Sequence, residues 1–400
     1  MTIIGERIKR LRKQRGMTQT DLAGEHMTKS MLSQIENGKA LPSMRTLQYL
    51  AEKLGEDAGY FLGEENEHGI TELVREIEMN SKKKSYEEVV RKVEPLLGTK
   101  LPMSIDVARM MEFYAEACFH TVHRGGEEAV QRAVEIYERF GLYVESSKAK
   151  YMNYAHLFSQ GKYGSSLDLI REVRREYEIK KIGRDVIFEL DLYYAEAVSL
   201  SALGLNKESR DVMLAALDLS KEQEVYYMTD HFLRILGNKF YESGETEKAA
   251  EYRKKARVFA EFTGNQDNLA YIEMAEARAM NREGRYEEAL AHIENVARIQ
   301  QKKSAVYWLE LGIYYYNTGQ AEAALDAFSR VVIPETVYHP SDRTNLYAAD
   351  AYMARLFAAK GQVREAMKLS SRAYERVKDF PYNRDRAFID ETYLELHKSE

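Results

Sequence analysis

The chain has 400 residues, of which 44% are hydrophobic and 30% are charged, and its formal net charge is −6. This composition is that of a globular protein and excludes a disordered or collagen-like chain. Only six residues are proline, and none lies between Met103 and Ile333. A β-sandwich or barrel needs turn residues at roughly every 8–12 positions, so we expect an all-α protein.

The location of the protein follows from what its sequence lacks. Cys118 is the single cysteine, so an internal disulfide and a structural zinc site are excluded and a reducing compartment is favoured. Charged residues such as Arg7 and Lys9 argue against a signal peptide at the N-terminus. No apolar run reaches about 18 residues, so we expect a cytoplasmic protein that does not contact membranes.

The first 62 residues carry a net charge of +3, whereas the rest of the chain carries −9. Hydrophobic spacing and capping residues predict five short helices in this basic segment. They are a helix over 4–14, a second capped by Thr18 with Asp21, a third capped by Thr28 and ended by Asn37-Gly38, a fourth capped by Ser43, and a fifth over 57–62.

Short helices joined by tight turns are typical of a helix-turn-helix. The segments Met17-Thr-Gln-Thr-Asp-Leu-Ala23 and Ser30-Met-Leu-Ser-Gln-Ile-Glu-Asn-Gly38, followed by Pro42-Ser43 and Leu47, resemble the Xre/Cro-repressor family of DNA-binding domains. This resemblance implies that the third helix enters the major groove of DNA.

With Leu32 and Ile35 buried, the opposite face of the third helix is free to contact DNA. Lys29 suits guanine or phosphate, and Gln34 suits an adenine edge. Two alternatives stay open: Met31 contacts a thymine methyl group or the core, and Thr18 and Ser43 bind phosphate or only cap their helices. The candidate DNA-binding residues are Thr18, Gln19, Lys29, Ser30, Met31, Ser33, Gln34 and Ser43.

Beyond a polar linker at 63–69, a helix, a turn and then a small residue recur eight times. The small residues, Val89, Ala129, Ser166, Ser209, Ala249, Ala289, Ala324 and Ala366, are 35 to 43 positions apart. Such a period indicates stacked helix pairs. We therefore expect a DNA-binding domain at 1–66 and a repeat domain at 67–400, with about eight helix pairs and a terminal capping helix.

One repeat identifies the type of array. Trp308-x-x-Leu311-Gly312-x-x-Tyr315, followed by Gly319, Ala324-x-x-x-Phe328 and Pro334, resembles the tetratricopeptide consensus. The resemblance implies a right-handed superhelix with a concave groove that is lined by the first helix of each pair.

Asn, Arg and Tyr recur at the positions that would face this groove. An amide can donate to and accept from a peptide backbone, and an arginine can bind a carboxylate with two bonds. We therefore predict a site for a short extended peptide, with neither metal nor cofactor. Its candidate residues are Tyr151, Tyr194, Arg234, Asn238, Tyr241, Arg278, Asn281, Tyr316, Asn317 and Arg355.

Motifs for catalysis are missing, since there is no Walker loop, dinucleotide fingerprint, zincin motif or nucleophile elbow, and we expect no enzyme. The two halves together resemble the peptide-pheromone receptors of Gram-positive bacteria, the Rap/NprR/PlcR/PrgX group, nearest to the NprR-like branch. The resemblance implies a cytoplasmic quorum-sensing transcription regulator that binds double-stranded operator DNA. Its ligand would be a secreted and re-imported oligopeptide that alters a homodimer or higher homo-oligomer. In the alternative, the array binds a protein such as a response regulator.

Overall fold

A computed structural model describes residues 3–56, 58–62, 68–99, 101–121, 123–181 and 184–398. These residues form 22 helices and no strands, as expected from the sequence. The first five, which form the helix-turn-helix, are α1 (Ile3–Gln14), α2 (Gln19–Ala23), α3 (Lys29–Glu36), α4 (Met44–Leu54) and α5 (Ala58–Leu62).

Local hydrogen bonds begin these helices where the sequence predicts. The hydroxyl oxygen of Thr18 accepts from the backbone N–H of Asp21, whose carboxylate accepts in return from the Thr18 backbone at 2.9 Å. Thr28 and Ser43 cap α3 and α4 without the return bond, each accepting from the backbone N–H three residues on. The capping prediction is therefore confirmed for all three helices, and each cap of this kind contributes about 1 kcal/mol.

Seventeen further helices make up the repeats. The first six are α6 (His68–Lys82), α7 (Tyr86–Leu97), α8 (Ile105–Thr121), α9 (Gly126–Phe140), α10 (Tyr143–Ser159) and α11 (Tyr163–Lys180). The next six are α12 (Val186–Ala202), α13 (Asn206–Glu222), α14 (Thr229–Glu242), α15 (Thr246–Thr263), α16 (Gln266–Glu283) and α17 (Tyr286–Ile299). The last five are α18 (Ala305–Asn317), α19 (Ala321–Ser329), α20 (Pro340–Ala359), α21 (Val363–Val377) and α22 (Arg384–His397).

The repeat register read from the sequence is confirmed. All eight small residues are buried in the second helix of their pair, none more than 4% exposed. The linker prediction holds less well, because His68 and Gly69 already belong to α6. Residues 63–67 and Asp57, which was predicted to begin the fifth helix, lie outside the described residues.

Gly312 explains why the tetratricopeptide signature carries a glycine in its first helix. A Cβ atom at this position would lie 2.5 Å from the ring of Phe328 on α19. Gly237 is in the same situation, because its Cβ would lie 2.7 Å from Cγ of Arg253 on α15. In these two pairs the helices therefore approach too closely for a side chain at the crossing point.

The chain divides into two compact units, residues 1–157 with 168–185, and residues 158–167 with 186–400. The first unit joins the helix-turn-helix to the early repeats in one core, which extends from Ile4 to Ala149. Leu41, between α3 and α4, fills the space beside Gly141, where a Cβ would lie 1.7 Å from its Cδ1. The helix-turn-helix is therefore packed against the turn between α9 and α10.

Candidate functional site

Helix α3 presents a polar face to solvent on its side away from the core. Leu32 and Ile35 are fully buried, whereas Lys29, Ser30 and Gln34 are exposed. In the described part of the chain these three side chains form no hydrogen bond or ion pair. Together with four neighbours they line a shallow concavity of about 410 Å³, completed by Gln19, Ser33, Asn37 and Lys39. We call these seven residues the reading surface.

A buried ion pair lies directly beneath the reading surface. Arg12 of α1 donates two hydrogen bonds to Glu36 of α3, at 2.5 and 2.9 Å, and a third to the carbonyl of Met17 at 2.8 Å. Burial alone would raise the pKa of Glu36, but hydrogen bonds from Arg12 and Gln19 outweigh it and lower this pKa. The pair fixes α3 against α1 and leaves the exposed side chains free.

Gln19 is oriented by the same carboxylate. Its side-chain amide donates to Oε2 of Glu36 at 2.8 Å, so its carbonyl oxygen is left for other partners. Oriented in this way, Gln19 extends the reading surface from α3 to the start of α2.

The other three candidates have roles inside the domain. Met31 is half-buried and packs against the core. The hydroxyl of Thr18 donates to Asp21 at 2.6 Å, and the Ser43 oxygen accepts from the backbone N–H of Thr46 at 3.1 Å. Both hydroxyls are nevertheless on exposed residues at helix N-termini, where backbone N–H groups favour anions.

The second unit has a concave surface lined by the first helices of its repeats. Arg278 of α16 donates to Oε1 of Glu310 on α18 at 2.8 Å, and also to Asn345 on α20. Arg278 thus reaches α20 across the intervening helix α18, which is possible because the surface shared by these helices curves inward. We call the surface formed by α12, α14, α16, α18 and α20 the inner face.

Two predicted amides lie together on this inner face. Asn281 is 3% exposed and donates to the backbone carbonyl of Glu310 at 3.1 Å, while its own Oδ1 is buried without a partner among the described residues. The side chain of Asn317 donates to the backbone carbonyl of Asn281 at 3.5 Å. These amides bridge neighbouring repeats, and the buried Asn281 side chain serves the packing of α16 against α18.

The C-terminal helix α22 contributes charges that the sequence did not reveal. Asp385 accepts from Arg282 of α16 at 2.6 Å and from Asn345 of α20 at 3.3 Å. The guanidinium of Arg384 lies 6.0 Å from the ring centre of Tyr241 on α14. The predicted capping helix therefore begins against the inner face.

The other predicted groove residues have partners of their own. Arg234 donates to Asn268 at 2.5 Å, Tyr194 contacts Phe232, Tyr316 contacts Tyr352, and Arg355 donates to Thr392 of α22 at 2.8 Å. Tyr151 belongs to the first unit, where it stacks on Tyr154. The prediction that Tyr151 lines the same groove is therefore wrong, whereas the other candidates lie on helices of the inner face, where most of them are already paired.

Asn238 differs from these residues. It is half-buried on α14, and its side chain forms no hydrogen bond within the described residues. Its neighbour Lys239 is buried and donates to Ser201 at 2.7 Å and to Asn206 at 3.0 Å. Burial lowers the pKa of Lys239 to about 8.

Sequence reasoning missed several residues of both surfaces. Lys39 completes the reading surface, and its position directly after the helix-ending Gly38 was a usable signal. Glu310, Asn345 and Asp385 had no comparable signal, because each finds its partner through tertiary contacts 29 to 103 residues apart in sequence.

Comparison with known proteins identifies the first region. Residues 5–67 match the family described as "Helix-turn-helix domain", and this segment is a helix-turn-helix domain. A relative, the immunity repressor protein of Bacillus phage phi105, is 31% identical over 94 residues, which are 23% of this chain and 61% of the relative. The chain therefore spans less than two thirds of that relative.

Solved structures give more remote likenesses. The Bacillus thuringiensis PlcR structure with the peptide PapR7 and DNA is 20% identical, with a TM-score of 0.41, over 69% of this chain and 99% of that one. The structure of ComR of S. thermophilus with DNA and its signalling peptide ComS is 18% identical, with a TM-score of 0.32. The match covers 66% of this chain and 95% of that one. None of the described helices is both long and apolar enough to cross a lipid bilayer. The narrower NprR-like assignment stays a prediction.

Proposed function

We propose that this protein is a cytoplasmic transcription regulator that binds operator DNA as a homodimer through its reading surface. The observation that carries the proposal is the polar face of α3 in a helix-turn-helix domain. Lys29, Ser30 and Gln34 stand exposed and unpaired, on a helix that the buried Arg12–Glu36 pair holds in place. A lysine and a glutamine in this position can read base edges in the major groove.

Selection of binding sites from a random duplex library with the full chain tests this proposal. One helix-turn-helix reads only a half-site, so a homodimer should select an inverted repeat with centres about 10 base pairs, or a multiple of that, apart. An enriched inverted repeat supports the proposal. Failure to enrich any sequence, or enrichment of a single half-site, contradicts the homodimer that reads DNA.

We further propose that the inner face binds a short peptide of about five to ten residues, since amides of this kind recognise extended backbone. Asn238 supports this most directly, because its free amide lies near Arg234 and Tyr241 on one helix. Any peptide carboxylate would meet Arg278 and Arg282, which internal carboxylates now neutralise.

Calorimetry with synthetic peptides from small secreted proteins that are encoded beside this gene tests the inner face. Asn238→Ala should weaken binding roughly 5- to 150-fold, the effect of about 1–3 kcal/mol for an amide with paired bonds. Asn80→Ala, which truncates an amide of α6 in the first unit, should bind like wild type. Equal binding by wild type and Asn238→Ala would place the peptide elsewhere, and binding of a response-regulator protein instead would favour the alternative partner.

A further inference from the structure

A second cavity lies in the last repeats, on the side of α20 that faces away from the inner face. It has a volume of about 620 Å³ and lies between the segment 330–339 and helices α20 and α21. That connection between α19 and α20 is ten residues long, whereas helix connections in bundles are usually about 2–8 residues. The cavity is within the range of about 300–1,000 Å³ that is typical of small-molecule sites.

One wall of this cavity is apolar. Ile333 and Val337 of the connecting segment face Leu346 and Met353 of α20. Phe328, which is fully buried, closes the end near α19. This wall can cover the hydrocarbon part of a ligand.

The other wall carries three arginines around one tyrosine and one carboxylate. Arg372 forms two hydrogen bonds to Asp350, at 2.8 and 2.7 Å, and Arg376 lies 3.6 Å from the same carboxylate. Arg343 donates to the Tyr347 hydroxyl at 2.9 Å, and among the described residues it has no carboxylate within ion-pair distance. Asp350 is therefore fully engaged by Arg372.

The charged side chains that line the cavity favour an anionic ligand. Three arginines line the cavity against two acidic residues, Asp350 and the exposed Glu335, so the lining carries a net charge of +1. Arg343 and Arg376 flank the Tyr347 ring at 5.7 and 5.0 Å and have donors to spare. Guanidinium groups bind carboxylates with two parallel bonds. We infer that this cavity binds a small carboxylate with an apolar body, a ligand site separate from the peptide site proposed for the inner face.

Calorimetry of the full chain with octanoate, 1-octanol and acetate tests this inference. Octanoate carries both features, octanol lacks the charge, and acetate lacks the apolar body. We expect octanoate to bind at least about tenfold more tightly than either control, because octanol cannot pair with the arginines and acetate cannot contact the apolar wall. Absence of octanoate binding, or equally tight binding of octanol, overturns the inference.

Variants then locate the bound octanoate. Arg343→Gln combined with Arg376→Gln keeps a donor for Tyr347 and leaves the Arg372–Asp350 pair intact, and it should weaken octanoate at least tenfold. Arg364→Gln removes one exposed arginine of α21 outside the cavity and should bind octanoate like wild type. Thermal melts show whether each variant is folded. Octanoate binding that the folded double variant retains, or that Arg364→Gln loses, overturns the assignment to this cavity.

Discussion

The reading surface and the inner face differ in how far their polar side chains are already satisfied. Beneath the reading surface, Arg12 and Glu36 form a buried pair that also orients Gln19, whereas Lys29, Ser30 and Gln34 stand free above it. On the inner face Arg278, Arg282 and Asn281 are themselves the network, joined to Glu310, Asn345 and Asp385.

This difference has a consequence for binding. A ligand that binds Lys29, Ser30 and Gln34 displaces only water, because these three side chains keep no internal bond that must break. A ligand of the inner face either uses a free group, such as the Asn238 amide, or competes with internal carboxylates for the arginines. In the absence of ligand, removing a free side chain such as Lys29, Gln34 or Asn238 should leave stability almost unchanged, whereas removing a paired one such as Asn281 should lower it.

The largest effect on stability should come from Glu36→Ala. The substitution leaves Arg12, a residue that is 8% exposed, without its carboxylate partner, and breaking such a buried pair costs about 3–5 kcal/mol. Urea denaturation of the full chain measures this loss. Glu52→Ala, at an exposed position of α4, should change stability by less than about 0.5 kcal/mol. A cost for Glu36→Ala as small as that of Glu52→Ala would mean that the pair does not hold α3.

Lys239 should make stability depend on pH in the alkaline range. Its folded pKa of about 8 lies below its ordinary value of 10.5, so the unfolded chain binds more protons between these values. Stability contributed by this residue therefore rises from pH 8 to pH 10.5, by about 2–3 kcal/mol. Denaturation of wild type and Lys239→Met across this range measures the difference. A stability difference between wild type and Lys239→Met that stays constant from pH 8 to pH 10.5 would contradict the lowered pKa of Lys239.

Asn281 and Asn238 offer the sharpest comparison within the inner face. Asn281→Ala removes donors to Glu310 and should lower stability by about 1–3 kcal/mol without any ligand. Asn238→Ala breaks no internal hydrogen bond and should stay within about 0.5 kcal/mol of wild type. Chemical denaturation of both variants tests this. Equal losses of stability in the two variants would contradict the difference in hydrogen bonding between these two amides.

Much of this arrangement could be predicted from the sequence because it is local. Thr18 and Asp21 form their capping box three residues apart, and the small residues from Val89 to Ala366 recur with the repeat. The bond between Arg282 and Asp385 spans 103 residues and depends on where α22 begins. No period or motif encodes that contact, so the sequence could locate the inner face without revealing its internal pairing.

Binding of a selected inverted-repeat duplex to Lys29→Ala combined with Gln34→Ala tests most directly that the reading surface reads DNA. Both side chains lack internal partners, so stability should stay within about 1 kcal/mol of wild type. Each base contact is worth about 1–3 kcal/mol of discrimination, so the preference for the selected site over a scrambled duplex in a gel-shift assay should fall at least about 30-fold. Lys53→Ala, which removes one exposed charge of α4, should keep that preference. Undiminished preference in the folded double variant would contradict the proposed function.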